Sequence, residues 1–277
     1  MSRQIIIDKD KHMKALASSK LEILDDSPYV DVRVNNSEPL WFNVDSGASA
    51  CVIDLAQCEN LSIPIEGQYE GTGAGSGSFK YSKMEGVRYS LGNETFTADQ
   101  SYAIDLSGVA NSKGRRLDGI LGCDFFLRYV VVLDYSQSVM TLYDPDGYVY
   151  RGSGEVLEIT FVKKVPFVKG RIWVPGVAAK ESEWLVDTGS SDTLNDELLG
   201  ESKGAVRHVM GGRGLGKEFE TLLATADRVE IGPFHFEKVE GATGGMKIGG
   251  GLLRYFTVTF DYSKSQMILE PNQQYPN

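Results

Sequence analysis

The sequence predicts an all-β protein built from two similar lobes. Two observations carry that expectation. Apolar and β-branched residues recur with a period of two, in short runs between turn residues. The chain also repeats itself in order, half against half. In the first half the strand runs are Tyr29–Val34, Trp41–Val44, Val87–Leu91, Val130–Asp134 and Val139–Tyr143. In the second they are Val168–Val174, Trp184–Val186, Val229–Ile231, Val258–Asp261 and Met267–Leu269. Short helices are expected at Ser49–Asn60 and Cys123–Arg128.

The repeat is followed by aligning words. Val30-Asp-Val-Arg-Val34 matches Val168-Lys-Gly-Arg-Ile172, and Asp45-Ser-Gly matches Asp187-Thr-Gly. A glycine-rich stretch centred on Gly73 matches one centred on Gly214. Leu91-Gly92 matches Ile231-Gly232, Leu121-Gly122 matches Ile248-Gly249, and Asp134-Tyr-Ser matches Asp261-Tyr-Ser. The offset shortens between Gly92 and Gly122, so the polar, turn-rich segment Ser107–Arg116 is the expected insertion. The chain therefore divides into an N-terminal lobe, 25–150, and a C-terminal lobe, 151–277. Turn-forming residues at Asp144-Pro-Asp-Gly147 and Arg151-Gly-Ser-Gly154 join them. Residues 1–24 show no counterpart in the second copy and read as an N-terminal extension: a pro-segment, an added strand or a surface arm.

Composition narrows the function. Apolar residues make up 42% of 277, enough for a core in each lobe. No apolar run approaches the ~18 residues of a membrane-spanning helix. Ile5-Ile6-Ile7 is followed at once by Asp8 and Lys9, so no signal-peptide core is visible. The compartment stays open, extracytoplasmic only if a signal was removed. A net charge of −10 disfavours binding to nucleic acid. Three cysteines without a C-x-x-C pattern argue against a disulfide scaffold or a thiol zinc site. On the expected helix, Cys51 and Cys58 lie roughly 10 Å apart, too far for a bridge, and read as buried thiols. His12, His208 and His235 are scattered, so a zinc hydrolase has no ligand set. No G-x-S-x-G elbow is present. Gly211-x4-Gly216-Lys217 falls short of a phosphate loop, because Glu218 stands where a magnesium-binding hydroxyl belongs. Asp134 and Asp261 read as turn-stabilising residues.

What remains is a pair of carboxylates, Asp45 and Asp187, each ending an apolar strand. Two carboxylates about 3 Å apart repel by roughly 5 kcal/mol at an effective dielectric of ~20. They share one proton, and one apparent pKa rises. The ionised member can deprotonate a water held between them, and the protonated member can donate to a carbonyl oxygen. No nucleophilic side chain and no metal or organic cofactor is needed. Gly47 and Gly189 let backbone N–H groups approach the carboxylates without a Cβ between.

These residues resemble the aspartic proteases. The likeness rests on the two Asp-Ser/Thr-Gly words, the glycine-rich stretch after each, and the apolar-apolar-Gly segment Ile120-Leu121-Gly122. Gly119-Ile-Leu-Gly-Cys-Asp-Phe-Phe126 leading to Val132-Leu-Asp-Tyr135 looks especially like the retropepsin-like bacterial branch. The resemblance implies a bilobal acid-protease fold, with two pseudo-symmetric β-barrel-like lobes and a central cleft. It implies an endopeptidase with an acidic optimum. Ser46 and Thr188 would interlock the lobes, and Ser49 and Ser191 would support the carboxylates. Residues Gly71, Thr72, Gly73, Ala74, Gly75 and Ser76 would form a flap over an extended peptide or unfolded-protein substrate. A single chain carries both halves, so a monomer is expected. One departure stands out. The second apolar-apolar-Gly segment reads Lys247-Ile248-Gly249, and the core there is expected to pack less regularly. The rival reading is a non-catalytic peptide- or protein-binding module on the same fold.

Overall fold

The computed structural model describes residues 14–73, 77–212, 214–216 and 218–276. In the first half the strands are β1 (Ala17–Lys20), β2 (Glu22–Leu24), β3 (Ser27–Val34), β4 (Leu40–Val44), β5 (Val52–Asp54), β6 (Glu66–Gly71), β7 (Phe79–Leu91), β8 (Glu94–Ile104), β9 (Gly119–Leu121), β10 (Val130–Asp134) and β11 (Val139–Tyr143). The second half holds β12 (Glu155–Val162), β13 (Val165–Trp173), β14 (Lys180–Asp187), β15 (Leu194–Asn195), β16 (Val206–Gly211), β17 (Phe219–Ile231), β18 (Phe234–Ala242), β19 (Lys247–Gly249), β20 (Phe256–Asp261) and β21 (Gln266–Pro271). Helices are short: α1 (Leu55–Asn60), α2 (Ser107–Lys113), α3 (Cys123–Arg128) and α4 (Gly250–Leu253).

Each half closes a ring of strands. In the first, β3, β4, β9, β5, β8 and β7 pair in turn, and β7 returns to β3 through Arg33↔Ser90 and Val34↔Tyr89. In the second, β13, β14, β19, β15, β18 and β17 do the same, closed by Gly170↔Ile231 to Trp173↔Arg228. Closure removes free edges, and alternation turns one face of every strand inward. Phe42 fills the first ring and Trp184 the second; both are fully buried. This is the bilobal acid-protease fold.

The rings are held together by a sheet that runs β1-β11-β10-β20-β21-β12. At its centre β10 meets β20 antiparallel, with Val131 opposite Phe260 and Leu133 opposite Val258. At its ends, Ala17 pairs with Leu142 as Glu155 pairs with Leu269. The Leu21 N–H reaches the Ser138 carbonyl at 2.8 Å, and the Ile159 N–H reaches that of Ser265 at 3.0 Å. Residues 17–24 thus form strands, one of the readings open for the N-terminal extension, and run the same course as 155–162. The likeness lies in main-chain pairing, and Ala-Ser-Ser-Lys shares no side-chain pattern with Glu-Val-Leu-Glu. Residues 1–13 fall outside the described ones.

Two further expectations change. Ser49–Asn60 is not one helix: Val52–Asp54 forms β5, between β8 and β9, and helix begins only at Leu55. The helical spacing of Cys51 and Cys58 therefore does not apply, although both are buried free thiols, as is Cys123. The insertion around 107–116 contains helix α2. Lys247 does not loosen the second core. Ile248, Gly249 and the whole of α4 are buried, as are β9 and Cys123, Phe125 and Phe126 of α3 in the first half. Asp134 accepts from Ser136 and the Gln137 N–H, and Asp261 from Ser263 and Lys264, as turn residues should.

Candidate active site

The ends of β4 and β14 bring Asp45 and Asp187 together. An ideal Cβ at Gly47 would lie 2.9 Å from Asp187 Oδ1 and 3.2 Å from Asp45 Oδ1, so both carboxylates bracket one point. At Gly189 the added carbon would lie 2.5 Å from Asp45 Oδ2 and 2.8 Å from Asn43 Oδ1. Each glycine thus leaves space that the opposite carboxylate fills. Gly189→Ala is expected to force Asp45 out of place, with a loss of about 100-fold or more in any activity of the pair. Peptide-cleavage kinetics on the folded variant check this.

The loops that carry the pair are locked to each other. The Ser46 hydroxyl donates to the Val186 carbonyl at 2.6 Å and accepts from the Thr188 N–H at 3.1 Å. The Thr188 hydroxyl donates to the Val44 carbonyl at 2.7 Å and accepts from the Ser46 N–H at 2.9 Å. Both side chains are fully buried. Four reciprocal bonds across the lobes fix the carboxylates more tightly than either lobe alone.

A second support comes from behind. The Asp45 N–H donates to the Leu121 carbonyl at 3.0 Å. The N–H of Cys123 donates to the Ala48 carbonyl at 2.9 Å, and that of Gly250 to the Ser190 carbonyl at 2.7 Å. A Cβ at Gly122 would strike the Ala50 carbonyl, and one at Gly249 would lie 2.5 Å from that of Asp192. The glycine of each apolar-apolar-Gly segment therefore admits the carboxylate loop beside it.

The electrostatics are those of a crowded pair. Burial first, and the Asp187 charge second, push the Asp45 carboxyl well above the usual carboxylate range. The Gly47 N–H, donating to Asp45 Oδ1 at 2.8 Å, works in the other direction but does not offset them. Burial, then the Asp45 charge, lift the Tyr29 phenol to about 12. Lys247 also reaches the pair, with Nζ 3.6 Å from Asp187 Oδ2, 3.0 Å from Asp192 Oδ2 and 2.8 Å from Ser190 Oγ. Burial disfavours its charge, yet Asp187 and Asp192 outweigh burial and raise its pKa. Sequence reasoning treated Lys247 as a packing fault. A lone cation in an apolar slot on the strand paired with Asp187 was the signal for its partner. Ser49 and Ser191 are exposed and bond neither carboxylate. Their expected support is absent, because the loop turns Ser190 inward instead.

Each lobe also carries a long hairpin, β6–β7 in the first and β16–β17 in the second. Gly71 is the last residue of β6 and pairs with Phe79; Thr72 and Gly73 follow it, and Ala74, Gly75 and Ser76 lie outside the described residues. In the second lobe Gly211 of β16 pairs with Phe219 of β17, so the stretch read as a failed phosphate loop joins two strands. The two hairpins come together at Gly73 and Leu215: a Cβ at Gly73 would lie 3.5 Å from Leu215 Cβ. Leu215 packs with Phe79 and Tyr81 against a first-lobe cluster that includes Tyr29, Trp41 and Ile120. Tyr29 and Trp41 stack at 3.9 Å. Among the described residues no cluster of His, Cys, Asp and Glu suits a metal ion, and no helix is long and apolar enough to cross a membrane.

Residues 30–125 match the family model described as aspartyl protease. That segment is less than half of the chain. It spans Asp45, Ser46, Gly47 and the Gly119–Gly122 segment, and it supports an aspartic protease family and a hydrolase of the peptidase type. A search of curated proteins found no match.

Proposed function

We propose that the chain is an aspartic endopeptidase in which Asp45 and Asp187 together activate water against a peptide bond. The observation that carries this reading is the meeting of the two carboxylates around Gly47 and Gly189, locked by Ser46 and Thr188. One carboxylate takes a proton from water as its oxygen attacks the carbonyl carbon. The other donates its proton to the carbonyl oxygen, giving a neutral diol. Return of the first proton to the nitrogen breaks the C–N bond. The second carboxyl regains its proton from the diol hydroxyl, leaving an acid and an amine. No side chain is acylated, and no metal or organic cofactor takes part.

The substrate is a peptide or unfolded protein lying extended between the lobes. Both hairpins cover it and pair with its backbone. The Tyr29, Trp41 and Ile120 cluster favours an apolar side chain on its side of the bond. The two lobes are read as fused copies of one retropepsin-like unit, dividing near residue 150, with the strands from Ala17 onward counted in the first copy. One chain, as a monomer, suffices.

Activity is bell-shaped in pH with an acidic optimum, falling as pH rises through the raised value of Asp45. An unfolded protein incubated from about pH 3 to about pH 8, with and without a statine-type peptide, tests the reading. Cleavage blocked by that peptide is expected. Binding without cleavage at any pH would favour a non-catalytic binding module instead.

A further inference from the structure

The two carboxylates do not have equivalent surroundings. Beside Asp45, the strand position paired with Asn43 is Ile120, apolar and nearly buried. Beside Asp187, the matching position, paired with Leu185, is Lys247. Its side chain is only 18% exposed, and its ammonium contacts Asp187 directly. Resting on the peptidase reading above, we infer that Lys247 holds the negative charge of the pair on Asp187 and leaves the shared proton on Asp45. Asp187 is then the base toward water and Asp45 the acid toward the carbonyl oxygen. Lys247 acts as a positioning residue for the proton, not as a group that touches substrate.

The other groups around the pair do not supply this asymmetry. The phenols of Tyr29 on β3 and Tyr262 after β20 feel the Asp45 charge, and that of Tyr135 after β10 feels the Asp187 charge. All three phenols are raised by burial first and stay neutral where carboxylates titrate. Asp26, also near Tyr135, is paired with Arg254 at 3.2 Å. Asp192 and Ser190 anchor the Lys247 ammonium from the loop after β14, and Asn195 on β15 pairs with Lys247 through the backbone. Among the ion pairs of the described residues, Lys247 is the cation that reaches the carboxylates. The Gly47 N–H bonded to Asp45 is compatible with a protonated acid, since its free carbonyl oxygen still accepts. A full charge in contact outweighs one backbone dipole.

A nearby cation lowers both proton-loss steps of a carboxylate pair. Removing it in Lys247→Met raises both, by about one pH unit or more. Lys247→Arg restores the charge and returns both steps toward wild type. The test is a carbon-13 titration of the Asp45 and Asp187 carboxyls in the three proteins, with peptide cleavage against pH followed on the same samples. Expected are ionisation of Asp187 ahead of Asp45 in wild type, an upward move in Lys247→Met and its reversal in Lys247→Arg. Ionisation of Asp45 first in wild type, which needs no variant to fold, would overturn the inference. So would steps that do not move in Lys247→Met while cleavage simply declines. Titration as expected without any cleavage by wild type upholds the placing of the charge by Lys247 and removes the peptidase reading together with the base and acid roles, so the two fail separately.

Discussion

Asp45→Asn and Asp187→Asn are each expected to lower peptide cleavage by about 10³-fold or more, with the fold intact. An amide cannot exchange the proton, and one remaining carboxyl cannot serve as acid and base in the same step. The stability consequence of Asp45→Asn runs the other way. The folded Asp45 carboxyl is raised above its unfolded value, by burial first and by Asp187 second. Its contribution to stability is full below the unfolded value of about 4 and is lost as pH rises through the folded one. Asparagine has no such loss. Thermal unfolding should therefore show Asp45→Asn gaining on wild type as pH is raised from about 4 to about 8. On the proposed mechanism the pair exchanges stability for activity.

The interlock of the lobes carries the second large effect. Ser46→Ala would leave the Thr188 N–H and the Val186 carbonyl without partners, and Thr188→Ala would orphan the Ser46 N–H and the Val44 carbonyl. All of these groups are in the buried seam, where each unpaired polar group costs about 1–3 kcal/mol. Each alanine is expected to lower stability by about 3 kcal/mol in urea unfolding. The double variant should lose less than the sum, because the four bonds form one network. Thr188→Ser keeps the hydroxyl and removes one methyl, at a cost of about 1 kcal/mol. Equal losses in Thr188→Ser and Thr188→Ala would show that packing, not the hydroxyl, holds the seam.

Where the sequence was legible, side chains carried the information. Val44 and Val186 precede Asp45 and Asp187 in apolar strands, and a carboxylate placed twice at such a point needs a partner. The Ser46 and Thr188 hydroxyls bond across the seam, and Gly47 and Gly189 leave room for the opposite carboxylate. Less legible were features made by the main chain. Strand β5 is three residues long and owes its existence to β8 and β9, distant in sequence, so Val52-Ile-Asp read as helix. The edge strands β1 and β2 add to sheets through backbone bonds, and their polar residues carry no period of two. Lys247 was visible as an irregularity, but its meaning needed the parallel pairing of β14 with β19 that sets it beside Asp187. The same is true of Ser190, chosen over Ser191 by the turn of the loop.

The claim that Asp45 and Asp187 hold one water between them is tested most directly by a crystal structure with a peptide analogue carrying a hydroxyl at the scissile position. The hydroxyl is predicted to lie within hydrogen-bond distance of both carboxylates, with the peptide extended beneath the two hairpins. An analogue seated with its hydroxyl away from either carboxylate would contradict the account.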